Sequence, residues 1–180
     1  EPLGLDAGFL TDDIDDPQTI AVLGSVDPLD WGKMEKAYAR IPVGQMYLLG
    51  QGELYISAKD LARIAMILAG DGSFLPAGSD TRQTFLSAET LEEMHTPKVY
   101  DEATNTTRGL ALQMNDEIVD GVTLWGHQGN AYWVISCLFY DRESHKGLAF
   151  LTSSASQMRA ENKIYAVNDA AVRAVWDYLQ

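Results

Sequence analysis

The ten residues from Ala131 to Tyr140 constrain this chain more than any others. They form a nearly continuous apolar run, rich in β-branched and aromatic side chains. A strand without polar alternation has no face to give to water, so the run predicts a central strand covered on both faces. Residues 141–146 are a polar turn, and 147–152 predict the next strand. Upstream, residues 109–115 predict a strand. Asp120-Gly121 marks a two-residue hairpin between 117–119 and 122–125. Strands joined by such short connections pair antiparallel, because a parallel pair needs a long crossover.

A sheet buried on both faces needs covering layers, and three amphipathic segments supply them. Ser57 caps a helix, with Asp60 three residues on in a capping-box-like pattern. Leu61, Ile64, Ala65 and Leu68 fall on one stripe, and Gly70 and Gly72 end it. After a loop over 73–83, Ser87 caps a shorter helix carrying Glu89, Leu91 and Met94, which ends before Pro97. Residues 162–179 predict a closing helix with Ile164, Val167, Ala171, Val172, Val175 and Leu179 on or near one stripe. Residues 1–56 are loop-rich, punctuated by Gly and Pro, with a short strand expected over 19–23. The order is helix, helix, antiparallel meander, helix. The expected fold class is α+β, an antiparallel β-sheet flanked by helices.

The chain has 180 residues, of which 46% are hydrophobic and 22% charged. That is one domain's worth of chain or half of a larger one, and it excludes wholesale disorder. A single cysteine, Cys137, excludes an intrachain disulfide framework and a cysteine-based zinc cluster. No apolar run approaches 18 residues, so no membrane segment is expected. The net charge of −13 makes nucleic acid and anionic membranes poor partners. Much of the acid falls in the first 30 residues. Asp12, Asp13, Asp15 and Asp16 lack calcium-loop spacing and predict a solvated acidic loop.

Motifs for chemistry are sparse. There is no Gly-x-Ser-x-Gly, no Ser-x-x-Lys and no His-Glu-x-x-His. Gly50-Gln51-Gly52 lacks the third glycine and the Lys-Ser/Thr of a phosphate loop. Cys137 inside an apolar strand predicts a buried, inert thiol. His95, at a helix end, predicts a cationic C-terminal cap, and His145 a solvated turn residue. His127 stands apart in Trp125-Gly126-His127-Gln128-Gly129-Asn130. Flanking glycines there permit another group to approach the backbone closely. No metal site or cofactor is expected. Asn105-Thr106-Thr107 fits a glycosylation sequon.

Six segments, in order, resemble the serine β-lactamase and penicillin-binding-protein-like hydrolases, especially their class C and DD-peptidase/esterase branch. The stretch from Glu1-Pro2-Leu3-Gly4-Leu5 to Phe9 resembles the family's "EPLGM-x-DTGF". Gly52-Glu53-Leu54-Tyr55-Ile56-Ser57-Ala58-Lys59-Asp60-Leu61 is similar to "GGLYSTA-x-DL". Leu86-Ser87-Ala88-Glu89-Thr90-Leu91 with Met94 and Thr96-Pro97 is similar to "LLSPETLxxMxTP". Arg108-Gly109-Leu110-Ala111-Leu112 stands where "YGLGW" would. Gly126-His127-Gln128-Gly129 resembles the "GH-x-G" variant of Lys-Thr-Gly. Gly147-Leu148-Ala149-Phe150-Leu151-Thr152-Ser153-Ser154 is similar to the strand ending "LTNS".

The resemblance implies an acyl-enzyme hydrolase of a β-lactam, D-amino-acid peptide or ester, extracytoplasmic in a bacterium. It also implies that Ser-x-x-Lys and Tyr-x-Asn precede the first matched segment. Neither occurs in a matching place here, so the chain is expected to be the C-terminal portion of one longer catalytic domain, inactive alone. Its implied partners are the N-terminal half, or a second copy, at the exposed edge of strand 147–152, and a small acyl or peptide substrate. By resemblance, His127 stands at the motif's lysine with its charge poised near neutrality. The Asn130 backbone N–H is one oxyanion donor, and Gln128, Gly129, Tyr132 and Trp133 flank the substrate. Gln128 replaces the usual Thr or Gly, which leaves the substrate class open. The alternative is a non-catalytic binding or structural relative.

Overall fold

The structure, a computed structural model, describes residues 3–21, 45, 50, 52, 54–131, 134–153 and 155–179. In chain order these form β1 (Ala7–Gly8), two 3₁₀ turns (Thr11–Asp13, Pro17–Thr19), β2 (Tyr55–Ile56), α1 (Ala58–Ala69), β3 (Ser73–Phe74), β4 (Gln83–Thr84) and α2 (Ala88–Met94). There follow β5 (Val99–Asp101), β6 (Thr106–Arg108), β7 (Gln113–Asn115), β8 (Leu124–Ala131), β9 (Val134–Asp141), β10 (Lys146–Ser153) and α3 (Ala166–Leu179). The last six strands make one antiparallel meander, in the order β10-β9-β8-β7-β6-β5, packed by helices. The fold class is α+β.

β9 is buried from both sides. Successive side chains on a strand point to opposite faces, and both faces here are apolar. Tyr140 joins Trp125 of β8, Leu91 of α2 and Ala65, Leu68 and Ala69 of α1 in one core. Cys137 and Phe139 join Leu124, Ile118, Ile164 and Val172 and Trp176 of α3 in the other. The buried Cys137 thiol has its pKa pushed up to about 12 by lost hydration, which leaves it a thiol at neutral pH.

The helix starts follow their local signals. The Ser57 hydroxyl accepts from the Asp60 amide at 3.0 Å and donates to its carboxylate at 3.1 Å. Asp60 in turn holds Arg63, which reaches the Gly4 carbonyl and ties the N-terminal segment to α1. Ser87 caps α2 in the same way through the Thr90 amide. The acidic loop is structured by its carboxylates. Asp6, Asp13 and Asp16 accept from the amides of Asp15, Leu10 and Gln18. Among the described residues no grouping suits a metal ion.

Several elements differ from the sequence expectations. The apolar run 131–140 is not one strand: Ala131 ends β8 and β9 begins at Val134, with Ala131 paired to Val134. An apolar run carries no mark of a turn inside it. The strand expected over 109–115 is only Gln113–Asn115, because Gly109 N–H bonds the Leu112 carbonyl and Ala111 takes a φ of 59°. Asp120-Gly121 does turn, but 117–119 is no strand. The Asn115 side chain accepts from the amides of Glu117 and Ile118 and diverts the chain. β5 and β6 extend the sheet beyond the expected 108–153, and β3 pairs with β4 within the expected loop. Thr19 closes a 3₁₀ turn, while Val22 and Leu23 lie outside the described residues. α3 starts at Ala166 because 160–165 fold back, with Ala160 N–H bonded to the Ile164 carbonyl.

His95 corrects another expectation. It is 6% exposed. Its Nδ1–H donates to the Leu91 carbonyl at 2.7 Å, and Nε2 accepts from the Tyr140 hydroxyl at 2.8 Å. Lost hydration holds its pKa below the usual imidazole range, against the Leu91 carbonyl. It is therefore a neutral core group bridging α2 and β9, not a cationic cap. His145 is more than a solvated turn residue, since Nδ1 donates to the Ala69 carbonyl at the end of α1.

The unfolded chain binds a proton at His95 more readily than the folded one. Stability therefore rises with pH through this window and is lost as pH falls through about 6.5. Urea midpoints are expected to drop between pH 7.5 and 5.5, and to drop less in His95→Gln. An identical pH slope in that variant would remove His95 as a source.

Candidate active site

β8 carries Gly126-His127-Gln128-Gly129 through the sheet, and its two halves differ. β7 pairs with it only at Leu124, Trp125 and Gly126. β9 pairs along its whole length. From His127 to Ala131 the described partner is β9 alone, so this half of an interior strand is a local edge. The cause lies in β7, which cannot extend backward because 109–112 turn away toward α2, with Leu110 N–H on the Met94 carbonyl. His127 thus lies at a local edge because a neighbouring strand stops short, while β8 itself is an interior strand of the described sheet.

Gly126 makes the transition. Its φ is 154°, and a Cβ there would be driven into the Leu138 carbonyl of β9. Gly129 lies opposite Ser136, whose hydroxyl a Cβ at 129 would meet at 2.6 Å.

His127 is exposed, yet enough protein surrounds the ring for lost hydration to hold its pKa below the free-imidazole range. The Gln128 carbonyl opposes that shift and the Arg108 cation adds to it. Nδ1 lies 2.6 Å from the Gln128 carbonyl oxygen, which can only accept, so Nδ1 carries the hydrogen. Nε2 faces Gln113 Nε2 at 3.4 Å and accepts from it. At neutral pH the ring is a neutral imidazole with its lone pair on Nε2. A charge poised at neutrality, as the unperturbed pKa implies, is displaced toward the uncharged form.

Arg108, Gln113 and His127 come from three successive strands. Arg108 pairs with Gln113 across β6 and β7, and its guanidinium stands 3.4 Å from the Asp101 carboxylate. Thr104 donates to that carboxylate and, with Ala103 N–H and Arg108, holds its pKa below the usual range.

The side chains of Gln128 and Asn130 are both engaged by Tyr165. The Gln128 side chain faces α3 and accepts the Tyr165 amide at 3.0 Å, while its carbonyl takes the His127 hydrogen. The Asn130 side chain donates to the Tyr165 hydroxyl at 3.0 Å. Arg159 donates to the same hydroxyl and lies 4.2 Å from the ring centre. Gln128 and Asn130 thereby anchor the 159–165 segment to β8. Tyr132 and Trp133 lie outside the described residues. Sequence inspection missed Gln113, Arg108, Arg159 and Tyr165. The one available signal was Gln113 itself, a polar side chain between the apolar Leu112 and Met114. A separate open depression of about 500 Å³ is lined by Asn105, Glu117, Asn162 and Arg173 among others. Its groups are bound to one another and to Asp169, and it does not include His127.

Comparison with known proteins places this arrangement. The beta-lactamase family model matches residues 1–172. No curated protein matches the chain. Among solved structures, a D-stereospecific amidohydrolase from Streptomyces sp. aligns at 20% identity and a TM-score of 0.47. The alignment covers 66% of this chain, which spans 29% of that one. The chain belongs to the beta-lactamase family, which comprises serine hydrolases of the β-lactamase and DD-peptidase type.

Gly126→Ala is expected to destabilise the fold by roughly 3 kcal/mol or more, from backbone strain plus displacement of β9. Gly121→Ala, at φ 73° with open space around it, is expected to cost only about 1 kcal/mol. Urea unfolding of both variants measures the difference.

Proposed function

We propose that this chain is the C-terminal portion of the catalytic domain of a serine hydrolase. It forms an acyl-enzyme with a β-lactam, a D-amino-acid peptide or an ester. The observation that supports this best is that His127, Gln128 and Gly129, within the segment resembling the family's Gly-His-x-Gly, lie on the half of β8 that β7 leaves unpaired. Acyl transfer needs a nucleophile, a base and an oxyanion hole. The 180 residues contain no Ser-x-x-Lys, so the nucleophile and its base come from chain outside them.

In this proposal the serine oxygen attacks the substrate carbonyl carbon and passes its proton to the base. The carbonyl π electrons move to oxygen, where the Asn130 N–H and the nucleophile's own N–H receive the negative charge. Collapse expels the leaving group, which takes the proton, and water repeats the sequence to free the enzyme. His127 stands beside the base. Its Nε2 lone pair can accept a proton and return it, whereas a lysine at that position would supply a fixed cation.

The edge of the sheet provides the junction. β10 is the outermost described strand on its side. Leu148, Ala149, Phe150 and Leu151 carry neither charge nor proline to discourage pairing there. The remainder of the hydrolase joins at this edge, and a second copy competes for it when that part is absent.

The 180-residue chain alone is expected to turn over neither nitrocefin nor a p-nitrophenyl ester, while a longer polypeptide bearing Ser-x-x-Lys is acylated at that serine. Within the longer protein, His127→Ala is expected to lower kcat/KM by about 100-fold. Turnover by the purified short chain, or an unchanged kcat/KM in the variant, would overturn the assignment. Light scattering after size-exclusion chromatography tests the edge. Self-association of the short chain is expected, weakened by Leu151→Lys, at an exposed position of β10. A clean monomer with slowly exchanging amides along β10 would contradict it.

A further inference from the structure

Gln113 holds a buried polar atom that the fold leaves unsatisfied. The residue is 6% exposed, and its Oε1 has no hydrogen-bond partner among the described residues. Buried amides ordinarily pair at both ends. Here one end is orphaned and the other meets a titratable ring.

The His127 Nδ1–H is committed to the Gln128 carbonyl, so Nε2 is the atom that gains or loses a proton. While Nε2 is bare, Gln113 must offer it an N–H, which turns Oε1 away. Once Nε2 is protonated it has no lone pair, and a facing amide N–H would set donor against donor. A half-turn of the amide about Cγ–Cδ exchanges oxygen and nitrogen within the same shape. Oε1 then accepts from Nε2–H in a charge-assisted bond. One end of the amide is unpaired in either orientation, so the state of His127 decides between them.

We propose that Gln113 is a positioning residue for His127: its buried amide turns over as the imidazole gains or loses a proton and holds the ring in place in both states. The charged group described near the ring is Arg108, on β6, partly offset by Asp101. Its cation disfavours the protonated state, as does lost hydration. Gln113 gives that state its one compensating acceptor. The catalytic meaning of this pairing rests on His127 being the proton carrier proposed above. The pairing itself is open to a test that involves no turnover.

NMR titration of the 180-residue chain with ¹³C and ¹⁵N labels follows both side chains between pH 4.5 and 8.5. The Gln113 side-chain amide is expected to shift with the same midpoint as the His127 ring, and to stop titrating in His127→Phe. Above the midpoint the ring nitrogens should report the Nδ1–H form. Gln113→Glu, which fixes an acceptor beside Nε2, is expected to raise the His127 midpoint by about one pH unit or more. Gln113→Met, which removes donor and acceptor at similar length, should shift the neutral ring toward the tautomer mixture of free imidazole. The wild-type titration decides even if a variant fails to fold. A Gln113 amide indifferent to pH across the His127 midpoint overturns the proposal, and so does a folded Gln113→Glu with an unmoved midpoint. Absence of turnover in the longer polypeptide bearing Ser-x-x-Lys, with the two titrations still coupled in the 180-residue chain, would count against the hydrolase function and not against the pair.

Discussion

The fold depends on burying β9 from both sides. Phe139 and Tyr140 are adjacent and both fully buried. They point to opposite faces, so each needs its own cover. α3 supplies one with Val172 and Trp176, and α1 with α2 supplies the other with Ala65, Leu68, Ala69 and Leu91. Each large side chain sealed this way contributes about 1.5–3 kcal/mol of apolar burial. β8 and β10 then take their places as the flanking strands of a buried centre. Where β9 is tightly held, β8 can afford a second half paired on one side only, and His127 lies there between Gly126 and Gly129.

The site combines a rigid back and an open front. Behind β8, Gln128 and Asn130 bind Tyr165, and Arg159 covers the Tyr165 ring. In front, His127 is braced by its neighbour's carbonyl and by Gln113. Strand alternation separates the two functions, with even-numbered side chains serving the scaffold and His127 and Gly129 on the other face. A substitution at Gln128 therefore acts on the 159–165 segment that this side chain holds.

What the sequence revealed was local. The starts of α1 and α2 were legible because a capping serine and its partner lie three residues apart. His127 was legible through its flanking glycines and the order of the family segments. The boundary between β8 and β9 was not, since apolar residues continue across it. β5 and β6 were missed because three residues are too few to show alternation, and pairing alone makes them strands. Gln113 showed only as a polar residue between apolar neighbours, because its partner lies fourteen residues away on the next strand.

The double burial of β9 has a consequence for how its alignment is chosen. In an ordinary half-exposed strand, sliding by one residue throws apolar groups into water, and that penalty fixes the pairing. At the centre of β9, sliding by one residue would exchange Cys137 and Phe139 with Leu138 and Tyr140, apolar for apolar. Greasiness cannot distinguish the two alignments. Two polar tethers can: the Tyr140 hydroxyl reaches His95, and Asn168 Nδ2, on a fully buried side chain, reaches the Ser136 carbonyl at 2.9 Å. Each works in one alignment only. The most apolar strand of the molecule thus owes its placement to a hydroxyl and an amide, which act as index marks on an otherwise featureless ruler.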